Sequence, residues 1–201
     1  RGDLGVVRKV VVEYSQGWLS TPLERDTGNK QASWRADPKQ SGVGGCIGDI
    51  GVHAFNIAEF ITGRRVERLC ADVATVVPGR GLDDDCNVLL RFEGGARGVL
   101  IASQISAGAR NGLTISVYGE KGGLTWSHED PNVLTLDWLE GPSHVLHAGS
   151  GYLGSAARAV TRLPTGHPEG FIEAFATIYR DFADAIEGRA GGLVPDISEG
   201  V

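Results

Sequence analysis

The sequence predicts an α+β fold: one large, predominantly antiparallel, open-faced sheet with helices packed on one face. Three observations lead there. Six stretches of strand character follow one another in quick succession between residues 66 and 139, and short connections between consecutive strands make them antiparallel neighbours. On either side of that run lies an amphipathic helical pattern, at about 47–62 and at 168–187, each with an apolar stripe to bury. The chain also holds 30 glycines in 201 residues, about twice the usual share, which suits a meander with many tight turns and not a helical bundle.

Taken in order, residues 6–14 (Val-Val-Arg-Lys-Val-Val-Val-Glu-Tyr) are β-branched and continuous enough for a strand, expected to run on to Trp18. Period-two alternation then sets Tyr14, Gln16 and Trp18 on one face. Such a row can be plain sheet surface, or it can floor a sugar pocket, because aromatic faces pack on sugar C–H faces and amides hydrogen-bond hydroxyls. Residues 20–45 are polar and turn-rich and read as a long loop containing Ser33-Trp34-Arg35; Arg35 has Asp37 nearby as a surface ion partner. The glycines at 42, 44, 45, 48 and 51 do not make a dinucleotide fingerprint, because no hydrophobic strand precedes them and no ribose-binding acid follows at the expected distance. They read instead as positions for tight turns and close approach of a ligand.

The helix at 47–62 has Ile50, Phe55, Ile57, Ala58, Phe60 and Ile61 to bury, and Gly63 stops it. Strands are expected at 66–77, at 86–92 and 97–105 around Glu93-Gly94-Gly95, at 113–118 and 123–127 around Gly119–Gly122, and at 133–139. Asp83-Asp84-Asp85 reads as a solvated turn, since three consecutive acids cannot all face one ion. His128, His144 and His147 have no zinc spacing with a cysteine and read as surface or loop residues, so no metal site is expected. Residues 140–165 look irregular. Pro168, followed by Phe171, Phe175, Ile178, Phe182 and Ile186 with Gly188 as the stop, sets out the second helix. Ser198-Glu199 resembles the start of a further one.

With 41% hydrophobic and 22% charged residues, the composition is that of a globular chain able to bury one sizeable core. A net charge of −6 with scattered basic residues argues against nucleic acid and anionic membrane as partners. Three cysteines without a CxxC pattern favour a reducing, cytoplasmic setting. No apolar run is long enough for a membrane span. A chain of 201 residues that begins at Arg1 and contains no methionine reads as a piece of something longer.

Chemistry is concentrated in Gly44-Gly45-Cys46-Ile47-Gly48-Asp49-Ile50-Gly51-Val52-His53. Asp49 and His53, four apart in a helix, share a face about one turn apart. Asp49 can simply charge the first turn beside a partly buried His53. Alternatively His53 exchanges a proton with a substrate hydroxyl while Asp49 orients it and stabilises the imidazolium.

The run from Trp34-Arg35-Ala36-Asp37-Pro38 through Gly42–Gly45 to Asp49, His53 and Gly63, with Tyr118–Gly122 and Gly166-His167-Pro168-Glu169-Gly170-Phe171, resembles the C-terminal domain of the Gfo/Idh/MocA oxidoreductases. The likeness covers nearly the whole chain. One position departs: Asn56 stands where many members carry a second aspartate. The resemblance implies that residues 1–201 are a single substrate-binding and oligomerisation domain lacking the N-terminal dinucleotide-binding domain. That missing half would hold NAD or NADP and the lysine that polarises the reacting oxygen, so this chain alone would be inactive.

The resemblance further implies hydride transfer between the nicotinamide and a secondary alcohol or ketone of a sugar or cyclitol. His53 and Asp49 would be catalytic, and Tyr14, Gln16, Trp18, Arg35, Asn56 and His167 would shape the substrate pocket. The open sheet face would form a homodimer or homotetramer. The alternatives are a non-catalytic carbohydrate-binding module, an assembly module, and a metal-dependent hydrolase or isomerase, the last lacking a clear third ligand.

Overall fold

The computed structural model describes residues 2–26, 28–189, 193–195 and 197; the helix start expected at Ser198-Glu199 lies outside them. Eight strands form one sheet in the order β2-β3-β4-β1-β5-β6-β7-β8. They are β1 (Lys9–Ser15), β2 (Val66–Ala74), β3 (Asp85–Phe92), β4 (Arg97–Ser103), β5 (Gly112–Tyr118), β6 (Gly122–Ser127), β7 (Val133–Trp138) and β8 (His144–His147). Every pairing is antiparallel except β1 with β4, which runs parallel with Ser15 opposite Ser103. The first strand thus enters the middle of the meander, between β4 and β5.

β1 alternates as the pleat requires. Val10 and Val12 are fully buried on one face, and Val11 and Glu13 are half-buried on the other. The buried face continues through Val88, Leu90 and Phe92 of β3, Leu100 and Ala102 of β4, and Ile115 and Val117 of β5. A helix lies on it: a π-helical turn, Ile47–Gly51, runs directly into α3 (Val52–Thr62), and Ile50, Ala54 and Ala58 complete the core. Small residues at 54 and 58, one turn apart, let the helix axis come close to the sheet. Gly63 ends α3 with φ 62°, the left-handed conformation that releases the chain into β2.

Four expectations need correction. Residues 20–45 are not one irregular loop but contain a helical turn at Leu23–Arg25 and the short helices α1 (Lys30–Arg35) and α2 (Pro38–Ser41). Asn29 and Asp37 cap these through their side chains, at 3.1 Å to the Ala32 N–H and 3.0 Å to the Lys39 N–H. β1 ends at Ser15, so Trp18 lies in the turn beyond the strand. Residues 140–165 hold β8 and α4 (Ser155–Val160); the glycine and serine content there masked a strand of only four residues. Finally, α5 (Phe171–Ile186) forms where the periodicity places it, yet none of its residues is buried, and Phe171, Ile178 and Phe182 remain exposed. Of the two long helices, only α3 covers the sheet.

Candidate functional site

The site lies where the cover of α3 runs out. Val10 and Val12 sit beneath the helix, and the same row continues as Tyr14, Gln16 and Trp18 beyond its N-terminal end. These three are bound to one another through an amide relay. The Tyr14 hydroxyl donates to Asn111 Oδ1 at 2.6 Å, Gln16 Nε2 donates to the same oxygen at 2.8 Å, and Trp18 Nε1 donates to Gln16 Oε1 at 2.9 Å. Asn111 reaches them because the β1–β5 register sets Gly112 opposite Ser15. Burial pushes the Tyr14 phenol above its ordinary value, the hydrogen bonds with Gln16 and Asn111 pulling the other way. Tyr14 therefore stays a neutral donor.

The wall of the site is the start of the helix. Asp83 caps it, accepting from the Gly45 N–H at 2.5 Å, the Ile47 N–H at 2.8 Å and the Cys46 thiol at 3.2 Å. Gly45 is required for this approach, since a Cβ there would lie 2.1 Å from the Asp83 carbonyl oxygen. Gly45 thus serves contact with the 83 turn, and the Gly45, Cys46 and Ile47 N–H groups are occupied by Asp83. The acidic run is accordingly not a solvated turn. Asp84 is fully buried; it accepts from the Val76 and Val77 N–H groups at 2.7 and 3.0 Å and pairs with Arg80 at 2.9 Å. Arg80 in turn reaches Glu24 at 3.1 Å, fastening the segment that leads to α1. Among the described residues, no three His, Cys, Asp or Glu side chains gather to hold a metal ion.

Asp49 projects from the π-helical turn. Its Oδ2 accepts from Gln104 Nε2 at 2.8 Å and from Arg35 Nε at 3.2 Å. Arg35 therefore pairs with Asp49, not with Asp37, whose carboxylate caps α2 and binds Gln40. Arg35 also donates to Gln31 Oε1 and lies over the Trp34 ring at 4.4 Å and the Trp18 ring at 6.0 Å. His53, one turn further on, is exposed, with its ring 6.3 Å from that of Tyr14. No hydrogen bond joins it to Asp49 among the described residues. An i→i+5 turn is wider than an α turn, so four residues no longer complete it, and Asp49 is swung toward Arg35 and Gln104.

These groups surround a cavity of about 410 Å³, lined by Tyr14, Gln16, Trp18, Gln31, Arg35, Asp49, Ile50, His53 and Arg110. Of the residues singled out in the sequence, Asn56 and His167 do not line it. Asn56 is exposed on α3, and His167 is exposed in the turn before α5, its N–H bonded to the Pro164 carbonyl. Sequence reasoning missed Gln31, Gln104, Arg110 and Asn111. Gln31 carried a signal, lying one helical turn before Arg35. The other three come from the segment after β4, which only sheet pairing brings to the site.

Comparison with known proteins bears on this geometry. Residues 1–125 match the family model for the GFO/IDH/MocA C-terminal domain. An uncharacterized oxidoreductase, YfiI, from Bacillus subtilis is 33% identical over 214 residues, spanning 100% of this chain and 53% of that protein. An inositol dehydrogenase homologue from Azotobacter vinelandii, solved with NAD+, superposes with a TM-score of 0.90 at 35% identity, covering 99% of this chain and 53% of the other. The same description applies to a complex with NADH and myo-inositol, with a TM-score of 0.86 at 33% identity over 99% of this chain and 52% of that one. The chain thus spans about half the length of the proteins it matches.

Proposed function

Because the chain belongs to the GFO/IDH/MocA family, as its C-terminal domain, we propose that its 201 residues form the substrate-binding and oligomerisation domain of an NAD- or NADP-dependent oxidoreductase acting on a sugar or cyclitol. The observation that carries this reading is the pocket itself: Tyr14, Gln16, Trp18, Arg35, Asp49 and His53 converge on one polar cavity. Its residue types suit a polyol. Indole and phenol rings offer faces to C–H groups, and amides, a carboxylate and an imidazole offer donors and acceptors to hydroxyls.

The dinucleotide is held mainly outside these residues; the Gly45 and Ile47 N–H groups, occupied by Asp83, are not open to its phosphates. A bound nicotinamide would supply the hydride acceptor for the carbinol carbon in oxidation and the hydride donor in reduction. His53, exposed at the pocket lip, takes the hydroxyl proton in oxidation and returns it in reduction. Asp49, fixed through Oδ2 by Gln104 and Arg35, keeps Oδ1 for the substrate or the imidazolium and stabilises the charge that forms on His53. Tyr14, Gln16 and Trp18, locked through Asn111, floor the site. Asn56 and His167, which do not line the cavity, act on substrate choice from outside it.

The uncovered sheet face supports self-association as a homodimer or homotetramer. It presents Val11, Leu89, Val99 and Ile101, with Leu89 52% exposed. No helix among the described residues is long and apolar enough to cross a membrane, and all three cysteines are free; both fit a cytoplasmic enzyme. The test is nicotinamide reduction by the full-length protein over a panel of sugars and inositols. Turnover of at least one polyol supports the reading, and sugar binding without turnover on any would replace it with a carbohydrate-binding module.

A further inference from the structure

The pocket is lined by two guanidinium groups, Arg35 and Arg110, against one carboxylate, Asp49. Arg35 is already answered by Asp49, by Gln31 and by the Trp34 ring. Arg110 is not: among the described residues it makes no hydrogen bond or ion pair. The lining is left with one uncompensated positive charge, in a chain whose formal net charge is −6.

An arginine on a loose loop would say little, but the backbone on both sides of Arg110 is tied to the pocket floor. The Gly17 N–H donates to the Ala109 carbonyl at 2.9 Å, the Ser106 N–H donates to the Gln16 carbonyl at 3.0 Å, and Asn111 Oδ1 accepts from Tyr14 and Gln16. Arg110 is therefore presented at the pocket by a fixed segment. Arg110 is exposed, so a neutral polyol in the cavity leaves its guanidinium to water and draws nothing from its charge. A carboxylate or phosphate matches its planar fork with two parallel hydrogen bonds.

We infer that the polyol taken by this pocket carries an anionic group, a carboxylate or a phosphate, which pairs with Arg110 while the reacting hydroxyl lies at His53. This rests on the oxidoreductase reading above and names the substrate class within it. Arg110 is then a specificity-determining residue, and Arg35 serves Asp49 rather than the anion.

The experiment compares D-glucuronate, D-gluconate and glucose 6-phosphate with glucose and myo-inositol as substrates of the full-length protein, wild type and Arg110→Gln. At least one anionic polyol is expected to show a kcat/KM tenfold or more above the neutral ones. The acid-to-neutral ratio is expected to fall at least tenfold in Arg110→Gln and to recover in part in Arg110→Lys, which keeps the charge without the fork. Preference for glucuronate or gluconate assigns a carboxylate, and preference for glucose 6-phosphate a phosphate. Faster turnover of a neutral polyol than of every anionic one, or an unchanged ratio in Arg110→Gln, overturns the inference while leaving the oxidoreductase reading intact. If nothing is oxidised, calorimetry with the same compounds decides: Arg110-dependent binding of an anionic polyol supports the anionic pocket and sinks the enzyme reading, and no binding overturns both.

Discussion

Gln104→Leu isolates the support of Asp49 from the rest of the site. Gln104 is 3% exposed and gives its amide to Asp49 Oδ2 at 2.8 Å. Leucine fills similar volume, so the packing at the end of β4 is kept while the amide that donates to Asp49 is removed. A hydrogen bond to a charged acceptor is worth about 1.5–3 kcal/mol, which corresponds to roughly 10- to 150-fold in kcat/KM if it is lost in the transition state. The Asp49 side chain is 32% exposed and keeps Arg35, so water replaces part of the loss and the lower end, about tenfold, is expected. The loss should fall on kcat with KM little changed, because Asp49 acts on the charge developing at His53 rather than on ground-state binding. The assay is steady-state nicotinamide reduction by the full-length variant, with circular dichroism showing an unchanged fold. A loss below twofold in a folded variant would refute the assignment of Gln104 as the anchor of Asp49.

Other outcomes follow from the same contacts. Arg80→Met strands a fully buried Asp84, the two side chains being 2% and 1% exposed. Unfolding free energy should drop by about 3–5 kcal/mol in chemical denaturation, a Tm loss of roughly 6–20 °C for a chain of this size; adding Asp84→Leu should restore only part, because Val76 and Val77 then lose their acceptor. The Tyr14 phenol, raised by burial, should titrate above its ordinary value of 10.0 when absorbance near 295 nm is compared with Tyr14→Phe. The sign is fixed by linkage: the folded chain holds that proton more tightly, so the contribution is full below the unfolded value and is lost as pH rises through the folded one. Cys46 and Cys86 are buried, with both thiols pushed up chiefly by burial, whereas Cys70 is exposed. A thiol reagent should therefore leave Cys46 and Cys86 unlabelled in the folded protein and label them after denaturation, while Cys70, opposite Leu89 on the open sheet face, should be labelled only where a second copy does not cover that face.

The periodic part of the structure was legible in the sequence. The β-branched run at 6–14, the helix carrying Asp49 and His53 with Gly63 behind it, and the meander from 66 to 139 each carry a local signal that the structure fulfils, although Phe60 and Ile61, expected in the buried stripe of that helix, are exposed. Alternation grouped Tyr14, Gln16 and Trp18, but β1 ends at Ser15, and it is the hydrogen bonds through Asn111 and Gln16 that hold the three together. What stayed hidden depends on pairing between distant segments. Only the insertion of β1 between β4 and β5 brings Gln104 and Asn111 to the site, and no local pattern announces it. The acids at 83–85 misled because composition cannot distinguish a solvated turn from one whose carboxylates cap a helix and neutralise a buried arginine. The four-residue spacing of Asp49 and His53 placed both on one cavity, but it could not announce the π turn in which Asp49 sits or its hydrogen bonds to Arg35 and Gln104. Periodicity sufficed to make α5 a helix, but it did not say what its apolar stripe packs against.

The measurement that tests the central claim most directly is nicotinamide reduction by the full-length protein with its preferred polyol, wild type against His53→Ala, alongside cofactor binding followed by fluorescence. The account predicts that turnover falls by 10²-fold or more, in line with the loss of a general acid–base group, while cofactor binding is retained. Turnover within a few-fold of wild type in His53→Ala would contradict it, because the proton would then be carried by a group other than the imidazole at the pocket lip.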